Sequence, residues 1–256
     1  MSSRFPAFRA ACVCASFNLA APSSAQVPAG GVNASLTPAA GKAQTAQPAD
    51  SPSPDSHETP IVQDPLRTSM KPGWTWVREH KDAWKLTPEG LQILVEPGNM
   101  WGPANDAKNI LLHRVPEELA ARADVRVTVA HQPKKRWEQA NLVWFYSGST
   151  MVKLGLEIEN GVLNIVMGRE ENDATKTIAI IPFPHPAAEL RFTVKGTALT
   201  GHYRQPGGKE WKTAGTATLP SGKLPPPHAS VQCYQGEANS GRWATVRDFQ
   251  ITACTD

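Results

Sequence analysis

An all-β fold of antiparallel strands, a sandwich or barrel, is what this sequence predicts, and three observations carry that reading. The runs Gln139–Tyr146, Val152–Ile158 and Val162–Glu171 follow one another with short Gly/Ser/Asn turns between them, which makes an antiparallel meander. Further strand-like runs recur at spacings of about 8 to 15 residues. No long run has the 3.6-residue period of a helix, and Pro116–Arg122 is the one helical stretch, a turn or two long.

Taken in chain order, Arg4 and Arg9 precede an apolar run from Ala10 to Ala21, and Pro22-Ser-Ser-Ala25 offers small residues for cleavage. This predicts a signal peptide over residues 1–25 and a secreted or periplasmic protein. The run holds about a dozen apolar residues where a spanning helix needs roughly 20, so no membrane span is expected. Cys12 and Cys14 lie inside the apolar run rather than after it, which argues against a lipid anchor. Residues 26–66 turn to Ala, Pro, Ser, Thr and Gln, a composition that cannot bury enough surface to offset the entropy of ordering it. A flexible linker is expected there; its Asn33-Ala-Ser35 fits a glycosylation sequon, a match that means little if the chain is bacterial. The rest, 67–256, has the size of one β-sandwich domain.

Within that domain the early strands are read at Trp74–Val77, Leu91–Val95, Ile110–Arg114 and Val125–Val129. In the meander, Val152, Leu154, Leu156 and Ile158 point one way, and Lys153, Gly155, Glu157 and Glu159 the other, giving a dry face and a wet one. Leu190, Phe192 and Val194 repeat the pattern, and Leu199 and Tyr203 oppose Thr200, His202 and Arg204. Turns fall at Lys195-Gly-Thr197, Pro206-Gly-Gly208 and Pro220-Ser-Gly222. The last strands are Ser230–Tyr234 and Val246–Cys254.

The formal net charge is +3, and no run of one sign exceeds Lys134-Lys-Arg136, so the basic stripe of a nucleic-acid binder is missing. Past the signal region two cysteines remain, Cys233 and Cys254. In an oxidising compartment such a pair predicts a structural disulfide, worth roughly 3 kcal/mol for a loop of about 20 residues; two buried thiols are the alternative. His113, His131, His202 and His228 show no metal-ligand spacing, and no cofactor is expected. A structural calcium at Asp106 or Asp248 stays open.

Trp84 with Glu89-Gly-Leu-Gln-Ile93, then Asn109-Ile-Leu-Leu-His-Arg114, form a first group of motifs. Glu138-Gln-Ala-Asn-Leu142, Val152-Lys-Leu-Gly-Leu-Glu157, Arg169-Glu-Glu171 and Arg247-Asp-Phe-Gln-Ile251 follow. In that order they resemble the concanavalin A-like domain at the C-terminus of family 43 glycoside hydrolases, the β-xylosidases. They are also similar to a related concanavalin-like domain of unknown function in secreted bacterial proteins. The resemblance covers nearly the whole ordered region and implies a jelly-roll β-sandwich of two antiparallel sheets with one concave face. In those xylosidases the catalytic carboxylates sit in a separate propeller domain, so the expectation here is a sandwich standing alone behind a tether.

Fold alone supplies no function, so the polar face decides it. Aromatic rings with amide, carboxylate and guanidinium neighbours suit a sugar, whose C–H face stacks on a ring while its hydroxyls pair with polar groups. The candidate ligand-binding residues are Trp76, Trp101, Asn109, Asn141, Glu157 and Arg169. Trp101 stands out because Gly, Pro, Asn and Asp place it in a loop. Trp84 and Trp144 read as core, and Trp137 and Trp211 as cover for edge strands. Glu157 and Arg169 are expected to face each other on adjacent strands, either as an exposed ion pair or as a hydroxyl-orienting pair in a pocket.

Three functions follow. The first is a secreted non-catalytic module that binds polysaccharide or oligosaccharide. The second is a glycoside hydrolase or lyase; Glu157-Ile-Glu159 puts two carboxylates on one face, without the third carboxylate that laminarinase-type jelly-rolls carry on the same strand. The third is a structural domain at the cell surface that contacts other secreted or cell-surface proteins.

Overall fold

The computed structural model describes residues 59–254. The signal peptide, almost all of the linker, Cys12, Cys14 and the Asn33 sequon lie outside these residues.

Fifteen strands form the described chain: β1 (Val62–Asp64), β2 (Trp74–Val77), β3 (Trp84–Thr87), β4 (Gly90–Leu94), β5 (Ile110–Arg114), β6 (Ala123–Ala130), β7 (Gln139–Ser147), β8 (Thr150–Glu159), β9 (Val162–Glu171), β10 (Ala174–Pro182), β11 (Ala187–Lys195), β12 (Ala198–Arg204), β13 (Lys212–Thr218), β14 (His228–Tyr234) and β15 (Trp243–Ala253). Two single 3₁₀ turns, Lys81–Ala83 and Glu117–Leu119, interrupt them; the second falls inside the predicted helical stretch.

The strands pair antiparallel into two sheets. One runs β13-β12-β11-β6-β15-β4-β3 with β1 laid against β15, and the other runs β10-β9-β8-β7-β14-β5-β2. The all-β jelly-roll is therefore what forms. β1 falls inside the stretch read as linker, because Val62 and Asp64 pair with Ile251 and Phe249 of β15. Three further strands, β3, β10 and β13, form beyond those expected. Each is an outermost strand of its sheet, and the Thr and Lys content of β10 and β13 is what exposed edge strands tolerate.

Alternation inside the strands sets the core. Leu142, Trp144, Val152, Leu154, Leu156, Ile165 and Met167 of the seven-stranded sheet face Val125, Val127, Leu190, Phe192, Val246 and Phe249 of the other, all almost fully buried. Each such side chain contributes about 1.5–3 kcal/mol by leaving water. Trp144 is core as expected, whereas Trp84 is only partly buried.

The hairpin turns fix the register on which the site depends. Asn160 and Gly161 both have positive φ, at 53° and 75°, the pair of values a two-residue hairpin turn needs. This turn sets Glu159 opposite Val162, and hence Glu157 opposite Asn164 and Val152 opposite Arg169. The expected Glu157–Arg169 pair is thereby ruled out: Glu157 points to the outer face of the sheet and Arg169 to the face turned toward the other sheet.

No disulfide joins Cys233 and Cys254, which corrects the expected bridge. Cys254 donates its N–H to Arg122 O at the start of β6, while Cys233 pairs with Ala140 at the start of β7. The start of β7 lies at the far end of β6, where His131 and Glu138 come within 3.2 Å. The two cysteines are therefore separated by the length of β6, on the order of 25 Å, where a bridge needs roughly 4.4–6.8 Å between Cα atoms. Burial among core side chains pushes the Cys233 thiol up to about 12.

Candidate functional site

The outer face of the seven-stranded sheet should be wet by its alternation, yet Lys153 and Glu157 are only 3 % and 6 % exposed. The connection between β4 and β5 folds back over the sheet and covers it. Met100 and Ala107 of that connection pack with Ile110, Leu112, Val143, Phe145, Met151 and Tyr234 into a second, smaller apolar cluster. Between this cover and the loop from β6 to β7 a cleft of about 420 Å³ remains, and Gln139, Lys153, Glu157, Val166 and Gly168 form its floor.

One wall is Trp101. Its indole lies against Gly168, where a Cβ would come within 2.5 Å of the ring, so the absence of a side chain on β9 is what lets the ring lie down. The same ring sits 4.8 Å from Lys153 Nζ, a cation–π contact. Its loop is tied at several points. Arg78 Nε donates to Ala107 O at 2.6 Å and its Nη2 to Asn105 Oδ1 at 2.9 Å, while the Gly102 N–H donates to Glu170 Oε2 at 3.1 Å. Glu170 is fully buried and its second oxygen meets no protein donor. Burial, reinforced by the nearby Asp173 charge, outweighs the Gly102 hydrogen bond and Lys153 and pushes the Glu170 carboxyl up to about 7.

The opposite wall is Trp137 with Arg136. Trp137 is 45 % exposed and its backbone is in the left-handed region at φ 68°, a strained conformation for a bulky residue. Its N–H donates to Ile158 O at 2.9 Å and its carbonyl accepts from Gln139 Nε2 at 2.8 Å. Arg136 stacks over its ring and donates to Glu159 at 2.8 Å. Beneath the loop, Glu138 is fully buried, with Arg242 Nε at 2.7 Å and the N–H groups of Lys134 and Lys135 at 3.0 and 3.1 Å. Burial alone would raise this carboxyl, but the donors around it, His131 and Arg242 foremost, hold it down to about 2.

On the floor, Lys153 Nζ donates to Glu157 Oε2 at 2.8 Å and to Gln139 Oε1 at 2.7 Å, and Asn141 Nδ2 donates to the same Gln139 oxygen at 3.2 Å. Each charge in the cleft therefore has a counter-charge, Lys153 with Glu157 and Arg136 with Glu159. The surface offers hydrogen-bonding groups and two indole rings, with no net charge among its ionisable groups.

Of the residues read as ligand-binding, the structure brings Trp101, Glu157 and Asn141 to this face, with Asn141 beneath the floor at 0 % exposure. The other three lie elsewhere, for local reasons. Trp76 stacks on Trp84 with centroids 5.1 Å apart and joins β2 of one sheet to β3 of the other at the sandwich edge. Asn109 is 1 % exposed and pins the turn at His80, accepting the His80 N–H at 2.8 Å. Arg169 ties the opposite edge, donating to Thr218 O on β13 and to Glu171, both at 2.7 Å. Asp106 accepts the Asn99 N–H at 2.8 Å, and Asp248 lies beside the guanidiniums of Arg67 and Arg247. Gln139, Lys153, Arg136 and Trp137 were not among the expected site residues. A lysine at the centre of an otherwise apolar strand was the available signal for Lys153; nothing in the sequence marks the strained backbone that presents Trp137.

Comparison with known proteins gives three results. The family of the β-xylosidase C-terminal concanavalin A-like domain matches residues 67–240. Among solved structures, a GH43 protein from Bacillus licheniformis aligns with a TM-score of 0.65 and 18% identity over 75% of this chain and 39% of its own. The Xyloglucan PUL GH43B protein of Bacteroides ovatus gives 0.64 and 20% over 77% of this chain and 40% of its own. The chain thus spans about two fifths of the length of these proteins. A functionally unknown protein from Saccharomyces cerevisiae aligns with a TM-score of 0.57 and 16% identity over 72% of this chain and 98% of its own. At these identities the likeness concerns the fold. No curated protein matches by sequence.

Proposed function

Because this chain belongs to the family of β-xylosidase C-terminal concanavalin A-like domains, a carbohydrate-related accessory domain, we propose that it is a secreted, non-catalytic module that binds polysaccharide in the cleft between Trp101 and Trp137. The observation that carries the proposal is the pairing of two indole faces with a floor of Gln139, Lys153 and Glu157. Sugar rings stack on the former and hydrogen-bond to the latter. The secretory route rests on residues 1–25, and about 420 Å³ is in the range of ligand pockets.

The arrangement of carboxylates supports binding rather than hydrolysis. Glycoside cleavage needs one carboxylic acid to protonate the leaving oxygen and a second carboxylate facing it across the bond. In the cleft Glu157 is bonded to Lys153 and Glu159 to Arg136. Glu170, which is poised to keep a proton, is sealed under Gly102 and does not line the cleft. The third reading, a surface protein-interaction domain, gains no specific observation.

Affinity electrophoresis of the intact protein through gels containing xylan, xyloglucan, β-glucan or mannan tests the proposal. Retardation by at least one polymer, reduced in Trp101→Ala, is expected, with no reducing ends released. Migration unchanged across the panel would overturn it, and reducing-end release abolished by Glu157→Gln would replace it with the hydrolase reading.

A further inference from the structure

We infer that the ligand is a stretch of an uncharged polysaccharide, several sugar units long, lying along β8 and gripped at both ends, rather than a single sugar or an acidic glycan. This rests on the proposed function and specifies its substrate class.

Length comes from where the two rings sit. Trp101 lies at the level of Lys153 and Gly168, which are paired across β8 and β9. Trp137 is hydrogen-bonded to Ile158, five residues further along β8, on the order of 17 Å away at about 3.4 Å per residue. One ring cannot cover that distance, so a ligand touching both indoles is a chain. Lys153, Glu157 and Glu159 lie on the same face of β8 and supply polar groups for the units in between.

The Trp137 end is also where the outer face is left apolar and open. The structure has four exposed large hydrophobic residues among those described, Ile61, Trp137, Val162 and Ile180. Three of them gather here. Val162 is opposite Glu159, and Ile180 is opposite Val166 on the cleft floor. Isolated exposed apolar residues need no explanation, but a contiguous group at the mouth of a cleft extends its contact surface. The strained backbone at Trp137 is a second sign, since strain of this kind is retained where the surrounding structure enforces it, and functional sites are where it clusters.

Charge comes from the pairing already described. A glycan carrying uronates or sulfates is recognised by guanidinium and ammonium groups available to the anion. In the cleft Arg136 and Lys153 are each held by a carboxylate at 2.8 Å, and an anionic sugar would meet Glu157 and Glu159 as well.

Titration of the intact protein with xylobiose and xylohexaose, and with soluble neutral and uronate-rich polymers at low and high salt, tests the inference. Affinity should rise at least about tenfold from the disaccharide to the hexasaccharide, and change less than about twofold between 50 and 500 mM salt. Trp137→Ala, at a half-exposed position, should remove that gain, and Trp137→Phe should restore most of it. Equal affinity for short and long oligosaccharides, or binding confined to uronate-rich polymer and lost with salt, overturns the inference while leaving a carbohydrate-binding module. Absence of binding to every glycan, by a protein whose unfolding is normal, removes both.

Discussion

The two walls of the cleft each hang on a buried glutamate, and the two glutamates sit in opposite electrostatic surroundings. Glu138, under the Trp137 loop, meets a guanidinium, an imidazole and two backbone N–H groups, and its carboxyl is held down to about 2. Glu170, under the Trp101 loop, has one N–H donor and an orphaned second oxygen, and its carboxyl is pushed up to about 7. Equal burial thus gives an anion in one place and, in the other, a carboxyl that keeps its proton up to near neutral pH, because the number of donors decides whether desolvation is offset. The Trp137 wall, with its strained and exposed ring, depends on charge. The Trp101 wall depends on packing against Gly168.

The largest effect on this contrast is expected from Glu138→Ala. Removing the hub leaves Arg242, His131 and two amides facing a void, at a cost of about 3–5 kcal/mol of unfolding free energy near neutral pH. Glu138 has its folded value below the ordinary 4.5, so its contribution is present above 4.5 and is lost as pH falls toward about 2. Denaturant unfolding of variant and parent should therefore converge across that range. A constant gap down to pH 2 would show that the hub acts through packing alone.

Glu170→Gln should act with the opposite sign. A carboxyl whose folded value is raised from 4.5 to about 7 favours the folded state most when protonated, so its stabilisation is full below 4.5 and fades as pH rises through 7. The loss amounts to something on the order of 3 kcal/mol. The amide, which can still accept from Gly102, should abolish that fall between pH 5 and pH 8 in urea titrations. A variant that keeps the parent's pH slope would contradict the assignment.

Gly168→Val should cost about 1–3 kcal/mol through overpacking. It should also lift the Trp101 indole, whose ring already lies 2.5 Å from the Cβ position, and so weaken glycan binding without touching the Trp137 wall. Unaltered glycan affinity with an altered melting temperature would mean that Trp101 is only a cover. The smallest expected effect concerns the cysteines: a reducing agent should leave the unfolding midpoint unchanged, whereas loss of a bridge would lower stability by roughly 3 kcal/mol.

These expectations also mark what the sequence makes legible. The strands from Gln139 to Glu171 and their two faces can be read directly, because alternation fixes which side chains meet the core. The register is there too, since the Asn160-Gly161 turn forces Glu157 opposite Asn164. Counting from that turn separates the two members of the expected Glu157–Arg169 pair, since opposite charge alone does not set register. What covers the outer face is not legible, because the covering loop meets the sheet across long separations, Gly102 to Glu170 being 68 residues apart. Lys153 and Glu157 therefore read as wet when they are buried. The cysteine pair misled for a related reason: sequence shows that both ends of a bridge exist but not that β6 stands between them.

Hydrogen exchange with and without saturating xylan or xyloglucan tests the central claim most directly, because both walls are loops whose exchange ligand contact would slow. The account predicts new protection in residues 97–109 and 131–138, with none in the outer strands of the eight-stranded sheet, 187–218. Protection confined to 187–218, or none anywhere in the presence of a polymer that retards the protein in a gel, would contradict it.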